Sequence, residues 1–162
     1  MIDGVALRPV VASDEAFLRR VYRSTREAEL DFVDWDDTQK DAFVDAQFDA
    51  QRSYYEQYYA GASFDVILVD GQPAGRLYVA RWADEIRIVD IALVPEYRDR
   101  GVGSALLRAL LDEGASSRRR VTIHVERFNR ALALYDRLGF TLAEDKGVYL
   151  FLAWSPPIPS CG

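Results

Sequence analysis

Arg98, Gly101 and Gly103 stand in the spacing Arg-x-x-Gly-x-Gly, between an apolar run over residues 89–94 and an amphipathic run that begins at Val102. Two glycines one residue apart at the head of a helix leave backbone N–H groups bare. Such a turn is an anion cradle, and the helix dipole favours the same charge. Arg98 and Arg100 add positive charge to it. Two nucleotide loops are excluded by spacing. A dinucleotide fingerprint needs a third glycine three residues after Gly103, where Leu106 stands, and it belongs to the first strand of its unit. A Walker loop needs Lys and then Ser or Thr after the second glycine, where the chain reads Ser104-Ala105.

The titratable residues nearby come next. Asp90 interrupts the apolar run between Val89 and Ile91. A carboxylate in that setting is costly unless it is paired or functional. It is therefore a candidate base, an anchor for a substrate ammonium, or half of an ion pair with Arg76, Arg81 or Arg87. Glu126 and Glu85 are the reserve carboxylates. His124, the only histidine, sits between Ile123 and Val125, where it is either structural or, with an ordinary pKa near 6.5, a base. No cysteine or serine constellation suggests a covalent intermediate, and no metal ligand set is expected.

These residues need elements to hold them. Residues 5–9 form a short strand that Pro9 helps to end. Ser13 caps a first helix, with Ala16, Phe17, Val21 and Thr25 at helical spacing. Residues 30–35 read as a loop. Thr38 and Asp41 fit a capping box that opens a second helix running to about Tyr59, with Val44, Phe48, Gln51, Tyr55 and Tyr58 on one face. Three strands follow at 64–69, 74–82 and 86–94, joined by tight turns as a meander. The helix from Gly101 to about Gly114 buries Val102, Leu106, Ala109 and Leu110. A strand over 120–125, a helix over 129–138 capped by Gly139, and strands at 140–144 and 148–154 complete the order β-α-α-β-β-β-α-β-α-β-β. That is a mixed α/β domain over residues 1–154, and residues 155–162 are a Pro-rich tail.

Composition bounds the partners. The chain has 162 residues, 49% hydrophobic and 28% charged, as expected of a soluble domain. No apolar run reaches the roughly 18 residues of a membrane span. Asp3 and the lack of a basic-then-apolar start argue against a secretory leader. The single cysteine, Cys161, fits a reducing compartment, so a cytoplasmic location is expected. A net charge of −6 disfavours nucleic acid and suits a cationic small molecule or basic peptide, or serves solubility alone.

The stretch 94–103, Val-Pro-Glu-Tyr-Arg-Asp-Arg-Gly-Val-Gly, resembles the hallmark of the GCN5-related N-acetyltransferase (GNAT) superfamily: Arg or Gln, two residues, Gly, one residue, then Gly or Ala. Residues 131–140, Ala-Leu-Ala-Leu-Tyr-Asp-Arg-Leu-Gly-Phe, are similar to its second signature, a helical Tyr followed by Leu-Gly-Phe. The element order matches too. The resemblance implies the acyl-CoA N-acyltransferase fold, a mixed and mostly antiparallel sheet flanked by helices.

It also implies roles. Backbone N–H groups of about Arg100, Gly101, Val102, Gly103 and Ser104 would hold the pyrophosphate of CoA, with Arg98 and Arg100 alongside. Free backbone groups of Leu93 and Val94, on a strand splayed from its neighbour, would pair with the pantetheine arm. Tyr135 would protonate the departing thiolate, or is a core ring between Leu132 and Leu138. Asn129 would contact pantetheine, or only caps its helix. Asp90, or Glu126 through water, would deprotonate the amine. An alkylammonium of pKa about 10.4 is only about 0.04% neutral at pH 7, so help is needed. The expected reaction is direct acetyl transfer from acetyl-CoA to a primary amine of a small molecule. The alternatives are a protein or peptide N-acetyltransferase and a non-catalytic acyl-CoA-binding module. Selectivity in such enzymes comes from the first two helices and their connection, where Asp31, Asp34, Trp35, Asp36 and Asp37 suit a cation or form a solvated face. Many members of the superfamily pair, which makes a homodimer one possibility, but no residue here fixes an interface.

Overall fold

In the computed structural model, which describes residues 3–158, the order is β1 (Val5–Pro9), α1 (Glu15–Leu30), α2 (Asp37–Tyr58), β2 (Ser63–Val69), β3 (Gln72–Arg81), β4 (Glu85–Leu93), α3 (Val102–Ser117), β5 (Arg120–Glu126), α4 (Leu132–Arg137), β6 (Thr141–Asp145) and β7 (Tyr149–Trp154). The seven strands lie in the order β1-β2-β3-β4-β5-β7-β6. β1 and β2, β5 and β7, and β6 and β7 pair antiparallel, and β4 and β5 pair parallel. This is the mixed, mostly antiparallel sheet with helices that the sequence predicts. Cys161 lies outside the described residues.

The chain divides into two compact units. One is Gly4–Tyr78 with Asp90–Arg100, and the other is built from Val79–Val89 and the chain from Gly101 onward. In the first, α1 and α2 pack through Leu18, Tyr22, Leu30, Val44 and Phe48, with Val10, Phe17 and Val33 against them. Tyr22 meets Phe48 edge-on with ring centroids 6.3 Å apart. Burying each such side chain contributes about 1.5–3 kcal/mol. In the second, α3 lies on β5, and Leu106, Leu107, Leu110, Val121, Ile123 and Leu152 are buried.

Several boundaries differ from expectation. α1 begins after a 3-10 turn over Ala12–Asp14, not at a Ser13 cap. The Asp14 carboxylate accepts the Val11 N–H at 2.8 Å and pairs with Arg8 at 2.8 Å, so the acid two residues short of Ala16 organises this start. The buried face of α1 is Leu18, Val21, Tyr22 and Leu30, while Ala16 and Thr25 are exposed. The capping box of α2 is formed by Asp36 and Gln39, two residues before the Thr38 and Asp41 pair expected: Gln39 N–H donates to Asp36 Oδ1 at 2.8 Å and Asp36 N–H donates to Gln39 Oε1 at 3.0 Å. A carboxylate is the stronger acceptor at a helix head. α3 runs through Gly114 and stops at Arg118, whose left-handed backbone (φ 56°) sends its N–H back to the Gly114 carbonyl. Ala109 is exposed, and Leu107 and Leu111 take its place in the core. α4 is three residues shorter at its start than expected.

Candidate active site

In the first unit, β4 leads through Val94 into a 3-10 turn over Pro95–Tyr97 and on to Arg98. Val94 N–H donates to the Ala74 carbonyl at 2.9 Å. Successive amides of a strand point to opposite edges, so Leu93 N–H faces away from β3. The Leu93 carbonyl, on that same edge, accepts Arg98 Nε at 3.0 Å. Tyr97 N–H takes the Val94 carbonyl at 3.0 Å. Of the backbone groups expected to be free at Leu93 and Val94, the Leu93 N–H is therefore the one that no described turn contact uses. Gly75 is a residue that sequence reading passes over here. A Cβ at Gly75 would stand 2.0 Å from the Ala92 carbonyl oxygen and 2.9 Å from Leu93 Cα, so only glycine lets β3 lie this close to the end of β4. Arg98 also reaches Ser24 of α1 at 3.4 Å, which fixes the turn to the helix. Arg100 is exposed, with its guanidinium over the Tyr97 ring at 5.3 Å.

Asp90 lies in the same unit. Its Oδ2 accepts Arg76 Nη2 at 2.6 Å and the Tyr55 hydroxyl at 2.9 Å. Arg76 Nη2 also donates to Gln51 Oε1 at 2.7 Å. Arg76 is 2% exposed. Burial works against its charge, and Asp90 first, then Tyr78 and Tyr55, more than offset this, so its pKa is raised. Burial first, and then the Asp90 charge, push the Tyr55 phenol far above its ordinary range, so it stays a donor. Of the three arginines named as partners for Asp90, Arg76 fills that place. Arg81 pairs with Glu113 at 2.6 Å and Arg87 with Glu85 at 2.6 Å.

In the second unit, Gly101 caps α3 in the left-handed region (φ 80°) with no side-chain cap. The first backbone bond of the helix is Ala105 N–H to the Gly101 carbonyl at 3.0 Å. The N–H groups of Val102, Gly103 and Ser104 precede it and have no acceptor within the helix. Beyond its chain neighbours the space at Gly101 is open: a Cβ there would meet nothing within 4 Å. Together these features fit an anionic group of the pyrophosphate kind.

Tyr135 is buried in α4, edge-on to Phe140 with centroids 5.6 Å apart, and the Phe140 N–H donates to its carbonyl at 3.1 Å. Asn129 precedes α4 and does not cap it directly: its Oδ1 accepts the Ala131 N–H at 2.7 Å, closing the turn before the helix. Glu126 ends β5 and, with Phe128 and Val148, lines a shallow pocket of about 240 Å³. Glu85 is buried. Burial raises its pKa, but Thr122, Arg120 and Arg87 bind the carboxylate at 2.5, 2.6 and 2.6 Å and bring it below its ordinary value. That makes Glu85 the hub of a structural network. His124 Nε2 lies 3.1 Å from Lys146 Nζ, and its ring stacks on Phe151. Burial, then the Lys146 and Arg87 charges, lower its pKa. Parallel pairing of β4 with β5 covers Glu85–Ile88 against Arg120–Ile123, and β4 continues past the last pair to Leu93.

Comparison with known proteins adds the following. Residues 24–140 match the sequence profile of the Acetyltransferase (GNAT) family. Mycothiol acetyltransferase of Corynebacterium efficiens is 38% identical over 91 residues, covering 52% of this chain and 30% of that protein. The counterpart in Corynebacterium glutamicum strain R is 38% identical over 88 residues, again covering 52% of this chain and 30% of that protein. The chain thus matches under a third of the length of these curated relatives. The PaiA N-acetyltransferase of Thermoplasma acidophilum, solved with coenzyme A, superposes with a TM-score of 0.70 at 16% identity, over 93% of this chain and 98% of that one. The ribosomal-protein-S18-alanine N-acetyltransferase of Escherichia coli gives 0.64 at 19% identity, over 97% of each chain. With both the glycine turn and the segment Tyr135 to Phe140 inside the matched residues, the chain belongs to the acetyltransferase (GNAT) family.

Proposed function

We propose that this protein transfers an acetyl group from acetyl-CoA to a primary amine of a small molecule. The observation that carries this reading is the head of α3: a left-handed, uncapped Gly101 followed by the free N–H groups of Val102, Gly103 and Ser104. In this reading those groups, with Arg98 and Arg100, hold the pyrophosphate. Acetyl-CoA, when bound, supplies an activated acetyl thioester. The Leu93 N–H is the donor available to the arm or to the thioester carbonyl, where charge develops during attack.

The amine must lose a proton and the sulfur must gain one as the new N–C bond replaces the C–S bond. Tyr135 Oη is the proposed donor to the sulfur. A phenol of ordinary pKa about 10 suits a leaving thiolate of similar basicity. The proposed acceptor of the amine proton is Asp90, or Glu126 through a water. Asp90 Oδ2 already accepts two donors, so Oδ1 is the atom that would take the proton. Asn129 has its Oδ1 committed to Ala131, which leaves its NH2 for the pantetheine arm.

The test is a panel of polyamines, aminoglycosides, amino acids and N-terminal peptides, each supplied with acetyl-CoA and followed by release of the CoA thiol. Amine-dependent release from a small molecule supports the proposal. Release with peptides alone moves the acceptor to the peptide class, and no release with any amine refutes transfer.

A further inference from the structure

The first unit contains a cavity of about 400 Å³ that none of the roles above uses. Its walls are largely apolar and aromatic, with Val11, Leu18, Phe48, Phe64 and Tyr78 among them, and the half-buried Gln51 and buried Arg76 add polar groups. Such a mixture, a few polar groups in an apolar cleft, is the usual composition of a small-molecule site.

The charges decide what kind of molecule. Arg76 is matched by Asp90 at 2.6 Å, and Glu15 at the rim is matched by Arg52 at 3.0 Å. Glu56, also at the rim, has no ion-pair partner among the described residues. One lining carboxylate is therefore left to meet a cation. The spare amide donor of the wall is at Gln51. Both Arg76 bonds leave from Nη2, and its buried Nε has no partner. Gln51 has given its oxygen to Arg76, which can only donate, so its NH2 is the spare end. A ligand oxygen that meets it should be uncharged, because Asp90 already cancels the Arg76 charge and would repel a second carboxylate.

We propose that this cavity binds an aromatic primary amine carrying a neutral carbonyl oxygen, as in an α-amino amide: rings against the aromatic wall, carbonyl to the Gln51 NH2, ammonium to Glu56. The proposal deepens the acetyltransferase reading, on which it rests for the bound amine being the acceptor. Binding is measured without acetyl-CoA, so its failure is distinct from a failure of transfer.

The experiment is calorimetric titration with phenylalaninamide, phenylalanine and 2-phenylethylamine. They share ring and amine and differ in the oxygen. The amide should bind at least about tenfold more tightly than the other two. Gln51→Leu should bring the amide to the level of 2-phenylethylamine and leave 2-phenylethylamine unchanged. Glu56→Gln, at an exposed position, should weaken the amide and 2-phenylethylamine alike. Equal binding of all three compounds, no binding of any, or an amide advantage that survives Gln51→Leu in a folded variant would overturn the proposal.

Discussion

Replacing Asp90 by Asn separates what this carboxylate does for the fold from what it does for chemistry. In the native protein the Arg76 guanidinium is 2% exposed and has two hydrogen bonds, to Asp90 and Gln51. A neutral amide in place of the carboxylate would leave that charge buried without its counterion. Breaking a buried ion pair from one side costs about 3–5 kcal/mol. The Asp90 side chain keeps 15% of its exposure, so water can relax part of the loss, and about 3 kcal/mol is the working figure. Tyr55→Phe removes only a neutral donor from the same oxygen and should cost about 1 kcal/mol. With a urea m-value of about 2 kcal/mol/M, the midpoints should fall by about 1.5 M and about 0.5 M respectively. The double variant should lose less than the sum, because both contacts end on Oδ2. Urea unfolding followed by circular dichroism measures all three. If Asp90→Asn unfolds at the same midpoint as the native protein, or higher than Tyr55→Phe, the buried pair does not hold the unit together as argued. If Asp90 is also the base, kcat of the folded variant falls by about a hundredfold or more, whereas a purely structural Asp90 leaves kcat near the native value at low denaturant.

Three further outcomes follow from the geometry. Tyr135→Phe should lower kcat about a hundredfold with KM for acetyl-CoA unchanged, and steady-state kinetics with undiminished kcat would remove Tyr135 as the acid. Gly101→Ala meets no steric obstacle, since the space around it is open, but must hold φ near 80°. It should cost about 1–2 kcal/mol, a drop of roughly 2–8 °C in Tm, and weaken acetyl-CoA binding measured by calorimetry. The third concerns acid. Arg8 holds the Asp14 carboxyl at about 2, below its ordinary 3.8. The folded pKa is the lower one, so the pair stabilises the fold above about pH 4 and the contribution is lost as pH falls towards 2. The stability gap between native protein and Arg8→Ala should be full at pH 7 and close in that window. A gap that persists below pH 2 would show that Arg8 acts through packing.

The helix and strand order was legible because the apolar spacings are regular and the turns carry Asp-Gly, Gly or Pro. The site turn was legible because Arg98, Gly101 and Gly103 lie within six residues of one another and their backbone requirement follows from residue type. What could not be read was partner choice. Asp90 had three arginines within reach of the sequence argument, and only the sheet pairing brings Arg76 to it. Tyr55 and Gln51 looked like members of a helical stripe, and their hydroxyl and amide meet Asp90 and Arg76 across long sequence separations. Gly75 gave no signal, because a close approach of β3 to Ala92 exists only once the strands are placed. The Asp36 cap was missed for a simpler reason: four candidate caps, Asp34, Asp36, Asp37 and Thr38, stand almost side by side.

The central claim rests on the head of α3 as a cradle for acetyl-CoA, and calorimetric titration of the protein with acetyl-CoA tests it most directly. The account predicts saturable binding at one site, with a dissociation constant between about 1 μM and 1 mM, lost or weakened in Gly101→Ala. A titration with no binding heat at several temperatures, or binding that Gly101→Ala leaves untouched, would contradict it.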